Sequence, residues 1–422
     1  MTDLAHTPQE LLSRLESTKQ ASRQLNAASP GTRDAALAAL AEGLAADAEQ
    51  IVAANVLDLE RGVRDGMTQG LQDRLRLTPQ RVEGLVEAVK VIASLPDPLG
   101  HVVREMTLAN GLEVSQVRVP FGVIGAIYEA RPNVTVDITA LALKSGNAVA
   151  LRGGSAALET NKALVEIVHR ALESVGLPAA IVASVDDYGR VGANALMTGR
   201  GLIDVLIPRG SAALIETVVT QSTVPVIETG AGVVHIFVDA SADPVSTAEI
   251  VHNAKVQRPS VCNSVETVLL HREALEGVLP GMVAKLLESG VTIHADDTVC
   301  ALVPDAVAAT PEVWGREALS LDISLKVVDS LDEALEHIHT YSTGHTESIL
   351  TSDSDNAERF VHEVDSAAVM VNASTRFTDG GEFGFGAEVG ISTQKLHARG
   401  PMGLPELTST KWIVRGNGHV RA

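Results

Sequence analysis

Apolar residues recur at helical spacing over the first quarter of the chain. Residues 8 to 96 carry them three and four positions apart, as in AALAALAEGLAADAEQIVAANV and TPQRVEGLVEAVKVIASL, which is the period of one helix face. Thr7, Pro8 and Glu10 match a helix start in which the threonine caps and the proline is the first helical residue. The pattern predicts a run of amino-terminal helices.

Alternating apolar and polar positions follow in HVVREMTLANGLEVSQVRVP. Asn110 and Gly111 separate two alternating runs, and this pair favours a two-residue hairpin turn in which both residues have positive φ. No neighbouring strand pattern adjoins the hairpin, so we expect an arm that extends from its domain.

After Pro120 the pattern changes to short aliphatic runs that alternate with helical segments. Strands separated by helices of this length predict right-handed crossovers and parallel sheets. A first series comprises GVIGAIY, NAVALR, AIVASV, DVLIPRG and VPVIETG, and a second comprises VVHIFVD, VETVLLH, SILTSD and AAVMVN. The segment TKWIVRG near the carboxy terminus predicts one more strand.

These patterns predict a two-domain α/β protein with an added arm. The first domain is expected at residues 1–100 and 119–232, and the second at residues 233–403. The hairpin, residues 101–118, and the terminal segment, residues 404–422, are expected to mediate oligomerisation. A length of 422 residues agrees with this division, since domains average about 150 residues.

The charge and composition of the chain argue against several classes of function. The chain has 33 Lys and Arg against 53 Asp and Glu, a net charge of −20. Such a surface repels phosphate backbones, so we expect no nucleic-acid partner. No apolar run approaches the ~18 residues of a membrane span. The start, MTDLAHTPQELL, lacks the basic and apolar regions of a signal peptide, and a cytoplasmic protein without a membrane partner is expected.

Two cysteines, Cys262 and Cys300, stand too far apart in sequence to suggest a disulfide framework or a zinc knuckle. Around Cys262, in VQRPSVCNSVET, Pro259 and Ser260 predict a turn into a helix start, where exposed N–H groups favour a thiolate. A buried small hydrophobe is the alternative, and the residues alone leave both open. Cys300 is expected to be structural.

A metal site is not expected. His337 and His339 lie two positions apart in DEALEHIHT and so point to different sides of a predicted helix. The thirteen histidines form no HxxxH or HExxH pattern.

Five longer blocks resemble the gamma-glutamyl phosphate reductases, also called glutamate-5-semialdehyde dehydrogenases, a branch of the aldehyde dehydrogenase superfamily. The blocks are AKVQRPSVCNS, EARPNVTVD, KSGNAVALRGGSAA, VNASTRFTDGGEFGFGAEVGIST and KLHARGPMGL. The resemblance covers almost the whole chain. It implies a Rossmann-type nucleotide-binding domain first and a catalytic thiol domain second. The implied reaction is NADPH-dependent reduction of L-glutamyl 5-phosphate to L-glutamate 5-semialdehyde, the second step towards proline.

The resemblance also implies catalytic roles. Cys262 would form a thioester with the substrate, and Asn133 would stabilise the oxyanion. Taken by itself, Asn133 also suits a helix cap after a proline. Glu228 aligns with the base that activates water in oxidative relatives, but VIETGAG replaces their ELGG. Water is an unwanted competitor in the reductive direction, so Glu228 is kept as an acid–base candidate for the last step.

Three blocks imply coenzyme contacts. Arg152 stands where many relatives have lysine, and its guanidinium suits a 2′-phosphate, which favours NADP over NAD. The strand-to-helix turn after it and the segment IPRGSAALIE would approach the ribose and the pyrophosphate. A glutamate in WGREALSL aligns with one that holds the nicotinamide ribose, although the FGP motif of relatives is absent. The candidates are Arg152, Gly153, Gly154, Ser155, Gly210, Ser211 and Glu317.

An anionic substrate on an acidic protein requires local cations and polar groups. The blocks supply several, but which of them meets the phosphate and which the α-carboxylate stays open. The candidates are Lys255, Arg258, Asn372, Ser374, Arg376, His397 and Arg399. Expected partners are further copies of the chain and a glutamate kinase that hands over the labile acyl phosphate.

Three other functions remain open from the sequence. The chain could oxidise another small aldehyde with NAD(P), act as a thiol acyltransferase or cysteine hydrolase without nucleotide, or serve as a scaffold without catalysis. A requirement for phosphate would distinguish acyl phosphate reduction from aldehyde oxidation. Nucleotide binding would distinguish it from thiol acyl transfer or hydrolysis, and a reactive thiol would distinguish it from a scaffold.

Overall fold

The computed structural model describes residues 7–421. The first six residues lie outside the described residues. They belong to the segment from which no signal peptide was expected. Backbone contacts divide the chain into two compact units. The first comprises Met1–Thr229, Phe385–Val389 and Met402–Ala422, and the second comprises Gly230–Gly384 and Gly390–Pro401.

The first unit begins with the predicted helices. The cap prediction at Thr7 is wrong, because Pro8 takes an extended ψ of 138° and occupies the cap position without a side-chain cap bond. The predicted pattern of a hydroxyl cap followed by proline occurs later, where Ser29 and Thr78 cap helices that start with proline. The helices are α1 (Gln9–Ala27), α2 (Pro30–Ala46), α3 (Ala48–Arg64), α4 (Gln69–Leu75) and α5 (Pro79–Ser94).

The predicted hairpin is confirmed as β1 (Val102–Thr107) and β2 (Glu113–Pro120), paired antiparallel. Its turn differs from the predicted one. Leu108 N–H donates to the Leu112 carbonyl at 2.8 Å, which leaves three residues in the loop. Of the two central residues only Gly111 has positive φ, +86°. A three-residue loop needs one left-handed residue rather than two.

A four-stranded parallel sheet forms the core of the first unit, in the order β5-β4-β3-β6. The predicted strand VPVIETG is wrong, since it contributes one parallel bridge between Val226 and Leu206, and Pro225 has no N–H for a ladder. The elements are β3 (Val123–Tyr128), α6 (Pro132–Lys144), β4 (Ala148–Arg152), α7 (Leu158–Ser174), β5 (Val182–Ser184), α8 (Gly189–Thr198), β6 (Val205–Arg209) and α9 (Ala212–Gln221).

The second unit contains a seven-stranded parallel sheet, in the order β10-β9-β11-β8-β7-β12-β13. The sequence pattern missed β9, β10 and β11, because β9 and β10 are very short and Ser324 and Lys326 interrupt the apolar run of β11. The elements are β7 (Val234–Val238), α10 (Pro244–Val256), β8 (Val265–His271), α11 (Leu275–Glu288), β9 (Thr292–Ala295), α12 (Asp297–Leu302), β10 (Val307–Ala308), β11 (Asp322–Val328), α13 (Leu331–Tyr341), β12 (Thr346–Leu350), α14 (Ser354–Glu363) and β13 (Ala368–Val371).

The two-residue strands β14 (Ile391–Ser392) and β15 (Gly400–Pro401) pair with each other, and the predicted terminal strand is confirmed as β16 (Thr408–Arg415). It pairs antiparallel with β2 along its whole length, so the arm is a three-stranded sheet. Its edge strand β1 is exposed throughout, and its part in oligomerisation stays a prediction. Within residues 7–421, no helix is both long and apolar enough to cross a membrane.

Candidate active site

Cys262 lies in a tight turn of the second unit, between the end of α10 at Val256 and the start of β8 at Val265. The expectation of a helix start at this cysteine is wrong. The N–H of Ser264 donates to the carbonyl of Val261 at 3.1 Å, so the turn closes directly into a strand. The thiol residue is partly buried, and side chains rather than a helix dipole must set its electrostatic surroundings.

Gly232 packs against this turn at a point where no side chain fits. A Cβ built on Gly232 would overlap the carbonyl oxygen of Cys262. The N–H of Gly232 donates to the carboxylate of Glu317 at 3.0 Å, so the coenzyme candidate Glu317 is anchored beside the thiol turn. Gly232 was not predicted as a site residue, although it is the second glycine of VIETGAG.

A second loop of the same unit is tied to the thiol turn through Asn263. The hydroxyl of Thr375 donates to the Asn263 carbonyl at 2.7 Å, and the Asn263 amide donates to the Thr378 carbonyl at 2.9 Å. Next to them, Arg376 Nε donates to the side chain of Gln257 at 2.8 Å. These bonds bring the segment around Arg376 to the cysteine.

Arg376 supplies positive charge at the thiol. Burial lowers the pKa of Arg376, Asp379 raises it, neighbouring Arg258 lowers it and Cys262 raises it. The last effect means that the guanidinium and a thiolate at Cys262 attract each other. Positive neighbours of this kind favour the thiolate form of a cysteine. Of the predicted substrate cations, Arg376 is thus tied to the turn of the cysteine by hydrogen bonds, and Arg258 lies in the same loop as Cys262, between α10 and β8.

Lys255 is fully buried and does not point to a substrate space. Its ammonium group donates to the Val265 carbonyl at 2.9 Å and to the Glu266 carboxylate at 3.2 Å. Burial lowers the pKa of Lys255 and raises that of Glu266 to about 7. The candidate role of Lys255 in substrate binding is therefore corrected to a core ion pair that supports β8.

Of the remaining substrate candidates, some hold the backbone of loops and one lines a cavity. Asn372 has φ of +54° and uses both amide atoms on the backbone of Thr351, at 2.8 Å each, so its predicted substrate role is corrected to a turn contact. Ser374 is buried and accepts a 3.3 Å bond from the N–H of Arg376. His397 is exposed, and Arg399 pairs with Asp365 at 2.8 Å.

Arg399 lines a cavity of the second unit with a volume of about 540 Å³. Lys395 also lines it and bonds the same carboxylate, Asp365. Because Asp365 engages both cations, a substrate anion would have to displace it. Arg399 is thus placed with α13 and α14, rather than with the group formed by Arg258 and Arg376.

Asn133 is the second residue of α6 in the first unit. Its alternative role as a helix cap is wrong, because Arg131 is at the cap position. The Asn133 amide donates to Asp137 Oδ2, one turn later on the helix, at 3.0 Å. Burial raises the pKa of Asp137 to about 6, while the Asn133 bond and the charge of Arg209 act in the opposite direction. An oriented amide and an ionisable carboxyl thus share one face of α6.

Glu228 is partly exposed in the extended segment that follows α9. The residues on either side attach it to β6. The Ile227 N–H donates to the Leu206 carbonyl at 2.9 Å, and the Thr229 hydroxyl donates to the Pro208 carbonyl at 3.3 Å. The backbone at Glu228 is therefore held at a fixed place beside the sheet.

A cavity of about 810 Å³ opens in the first unit where β4 ends. Arg152 lines it, and its Nε is buried without a hydrogen-bond partner among the described residues. Gly154 has φ of +75°, and a Cβ on Gly153 would overlap the side chain of Asn161. An unpartnered guanidinium nitrogen beside a glycine turn fits a phosphorylated nucleotide. Contributing residues include Glu129, Arg152, Gly154, Ser155, Arg190 and Gln221.

The other coenzyme candidates have acidic neighbours. The N–H of Gly153 donates to Asp186 at 2.6 Å, so it is engaged by a carboxylate. Ser211 caps α9 through the Leu214 N–H at 3.3 Å and donates to Glu129 at 3.2 Å, and a Cβ on Gly210 would lie 3.0 Å from the same carboxylate. The negative charge of Glu129 would repel a coenzyme pyrophosphate at the start of α9 unless the glutamate side chain rotates away.

Glu129 and Arg190 line this cavity but were not predicted as site residues. Glu129 opens the block EARPNVTVD and could have been noticed there. Arg190 is an exposed cation of α8 and has the sequence appearance of any surface arginine. Among the described residues, no group of three or more His, Cys, Asp or Glu side chains could hold a metal ion.

Comparison with known proteins identifies relatives of this chain. Residues 5–308 match the model of the aldehyde dehydrogenase family. A gamma-glutamyl phosphate reductase of Leifsonia xyli subsp. xyli is 62% identical over 99% of both chains. One from Thermobifida fusca is 54% identical over 100% of both.

Solved structures give the same result. The crystal structure of gamma-glutamyl phosphate reductase from Thermotoga maritima superposes with a TM-score of 0.95 at 46% identity, covering 98% of this chain and 100% of its own. An acetylating aldehyde dehydrogenase from Geobacillus thermoglucosidasius has a TM-score of 0.70 at 16% identity over 98% of both chains, which shows a common fold.

Proposed function

The chain belongs to the gamma-glutamyl phosphate reductases within the aldehyde dehydrogenase family, and on that premise we propose that Cys262 is its nucleophile and NADPH its reductant. The enzyme reduces L-glutamyl 5-phosphate to L-glutamate 5-semialdehyde and releases phosphate, a step of proline biosynthesis. This activity is favoured over the oxidation of another small aldehyde. The family uses a nicotinamide coenzyme, NAD or NADP.

The first chemical step belongs to the thiol turn. The thiolate of Cys262 attacks the γ-carbonyl carbon, a C–S bond forms, and the C–O bond to phosphate breaks. The observation that carries this proposal is the set of hydrogen bonds that ties the Arg376 segment to the turn of Cys262, because a nearby positive charge favours the thiolate and only the thiolate is an effective nucleophile. Arg258 and Arg376 also offer positive charge to the phosphate that leaves.

The oxyanion of this step needs a donor that is already oriented. Asn133 supplies an amide whose orientation is fixed by its bond to Asp137. Loss of one such donor typically slows a reaction by about 10²- to 10³-fold. Glu228 is retained as the acid–base group for release of the aldehyde, since its carboxyl is partly exposed on a fixed segment.

NADPH, when bound, supplies the hydride that reduces the thioester and allows the semialdehyde to leave. Arg152 and Arg190 both line the cavity of the first unit, and a guanidinium suits the 2′-phosphate that distinguishes NADP from NAD. The buried, unpartnered Nε of Arg152 supports this preference. Gly154 and Ser155 line the same space, and Glu317 is held by Gly232 for the nicotinamide ribose.

Three further proposals concern the setting of the enzyme. It works in the cytoplasm, it assembles into homo-oligomers through the exposed edge of β1, and it receives its labile substrate from a glutamate kinase. The three-stranded arm with its exposed edge supports the second of these.

The test of the proposed function uses the reverse direction. L-glutamate 5-semialdehyde and NADP are mixed with and without inorganic phosphate, and the absorbance of the reduced coenzyme is followed. With phosphate the wild type should form NADPH continuously, and without phosphate it should form no more than one NADPH per active site. Cys262→Ala should form none, and the control Cys300→Ser should match the wild type. Continuous formation without phosphate, or unchanged activity in Cys262→Ala, would overturn the proposal.

A further inference from the structure

Thr343 lies in the loop between α13 and β12 of the second unit. Its hydroxyl donates to the carbonyl of Ala231 at 2.6 Å and accepts a hydrogen bond from the N–H of Val233 at 3.0 Å. A hydroxyl can donate once and accept as well, so both bonds form together. One side chain therefore holds the residue before Gly232 and the residue after it.

Gly232 is the residue that touches the thiol turn. It is buried, and a Cβ on it would overlap the carbonyl oxygen of Cys262. Its own N–H donates to the carboxylate of Glu317 at 3.0 Å. Because β7 begins only at Val234, these bonds come from side chains rather than from the ladder of the sheet. Thr343 and Glu317 thus fix the backbone that packs against the cysteine.

The loop that carries the Thr343 hydroxyl is itself held in place. The hydroxyl of Ser342 donates to the carboxylate of Glu347, and the N–H of Gly344 donates to the Ser342 hydroxyl at 2.8 Å. Glu347 is fully buried and also accepts the N–H of His235, in β7, at 2.7 Å. A loop anchored on both sides of Thr343 gives its hydroxyl a fixed position.

We infer that Thr343 is a positioning residue for Cys262 and acts on it through Gly232. Without the hydroxyl, the carbonyl of one neighbour of Gly232 and the N–H of the other lose their partner, and the glycine no longer has a fixed place against the thiol turn. A displacement of a reacting group by about 1 Å slows a reaction by about 100-fold. The inference rests on the proposed role of Cys262 as the nucleophile.

The experiment follows the first turnover in the reverse direction. Enzyme, L-glutamate 5-semialdehyde and NADP are mixed without phosphate, and the rate constant for the first NADPH formed is measured by stopped flow. This phase contains the attack of the thiolate on the aldehyde and the hydride transfer, but not the transfer of the acyl group to phosphate. Its amplitude counts the working active sites, so inactive protein in a preparation does not change the rate constant.

Three single variants separate the hydroxyl from the shape of the side chain. Thr343→Val keeps the shape without the hydroxyl, and Thr343→Ser keeps the hydroxyl. Thr343 is exposed, so both substitutions leave the core unchanged. Thr340→Val on α13 is the matched control, because the exposed Thr340 hydroxyl donates to the Glu336 carbonyl of its own helix at 2.9 Å.

Thr343→Val should lower the maximal rate constant by about 10-fold, less than a full 1 Å displacement would, because the Glu317 bond remains. The semialdehyde concentration for half of that maximum should change by less than about 2-fold, since the nucleophile and not the binding of substrate is affected. Thr343→Ser and Thr340→Val should match the wild type.

A double variant tests the route through Gly232. Gly232→Ala displaces the thiol turn by itself, so the addition of Thr343→Val should slow the reaction by less than about 2-fold further. Two independent effects would multiply instead. This comparison distinguishes an action on the Gly232 contact from a general loosening of the second unit.

Three results would overturn the inference. They are a wild-type rate constant in Thr343→Val, an equal loss in Thr343→Ser, and multiplied losses in the double variant. A first turnover that persists in Cys262→Ala, or that is absent from the wild type, would instead contradict the proposed function. The two failures are therefore distinguishable.

Discussion

A side chain at Gly232 would occupy the space of the carbonyl oxygen of Cys262. The thiol turn and the segment after Glu228 are therefore in direct backbone contact within the second unit. The same glycine donates its N–H to Glu317 at 3.0 Å. One residue without a side chain thus sets the position of both the candidate nucleophile and a candidate coenzyme contact.

Gly232→Ala should lower kcat/KM by about 100-fold, because displacement of a reacting group by about 1 Å has an effect of that size. Gly281→Ala is the matched control, since a Cβ there meets nothing within 4 Å and the site is the interior of α11. The control should keep full activity and gain about 0.5–1 kcal/mol in free energy of unfolding. Steady-state rates and thermal melts would show both effects, and full activity in Gly232→Ala would contradict the account.

Arg376→Gln should slow alkylation of Cys262 by iodoacetamide about 3- to 10-fold at neutral pH, because the variant lacks the charge that attracts the thiolate. The measurement is made in a Cys300→Ser background, so that only one thiol reacts. Arg399→Gln, whose arginine pairs with Asp365 at another cavity, should not alter the rate. Equal rates for Arg376→Gln and its parent would remove Arg376 from the activation of the thiol.

Arg152→Ala should raise the Kd of NADPH about 10- to 100-fold and that of NADH less than about 3-fold, since only NADPH has the 2′-phosphate. Arg190→Ala should have a smaller effect in the same direction, because Arg190 is exposed. Fluorescence titration at equilibrium measures these constants without turnover, and Lys162→Ala on α7 is an exposed control. Parallel weakening of both coenzymes would indicate that Arg152 contacts another part of the nucleotide.

His337 should make the protein less stable in acid. Burial lowers its pKa from 6.5 to about 3, assisted by His235 and Lys326. The unfolded chain therefore binds a proton that the folded chain does not as pH falls below 6.5. The free energy of unfolding should fall by about 1.4 kcal/mol per pH unit from this group.

Urea melts at pH 7, 6 and 5 would measure that slope. His337→Gln should make it shallower by about one proton, whereas His339→Gln, an exposed position on the same helix, should leave it unchanged. Identical slopes for the wild type and His337→Gln would show that His337 is protonated in the folded state.

The sequence predicted those features that depend on local pattern. The hairpin, the terminal strand and most parallel strands follow from the spacing of apolar residues. The missed strands β9 to β11 are short or carry polar residues such as Ser324 and Lys326. Pairing with strands that are distant in sequence stabilises such segments in the sheet. A short stretch of sequence carries no information about that pairing.

The candidate site shows the same division. Motif blocks placed Cys262, Arg376 and Arg152 where charge or a cavity supports a role, but they also suggested Lys255 and Asn372. Those two side chains are engaged by Glu266 and by the Thr351 backbone. Gly232, Asp137 and Arg190 were missed because their importance comes from what lies next to them in space.

Mass spectrometry of the acyl-enzyme shows whether Cys262 forms a covalent bond to the substrate. The enzyme is mixed with L-glutamate 5-semialdehyde and NADP without phosphate, quenched in acid to keep the α-amine protonated, and digested. We expect a glutamyl thioester on the peptide containing Cys262, and it should disappear when phosphate is added before the quench. Turnover with no adduct, or an adduct on Cys300, would contradict it.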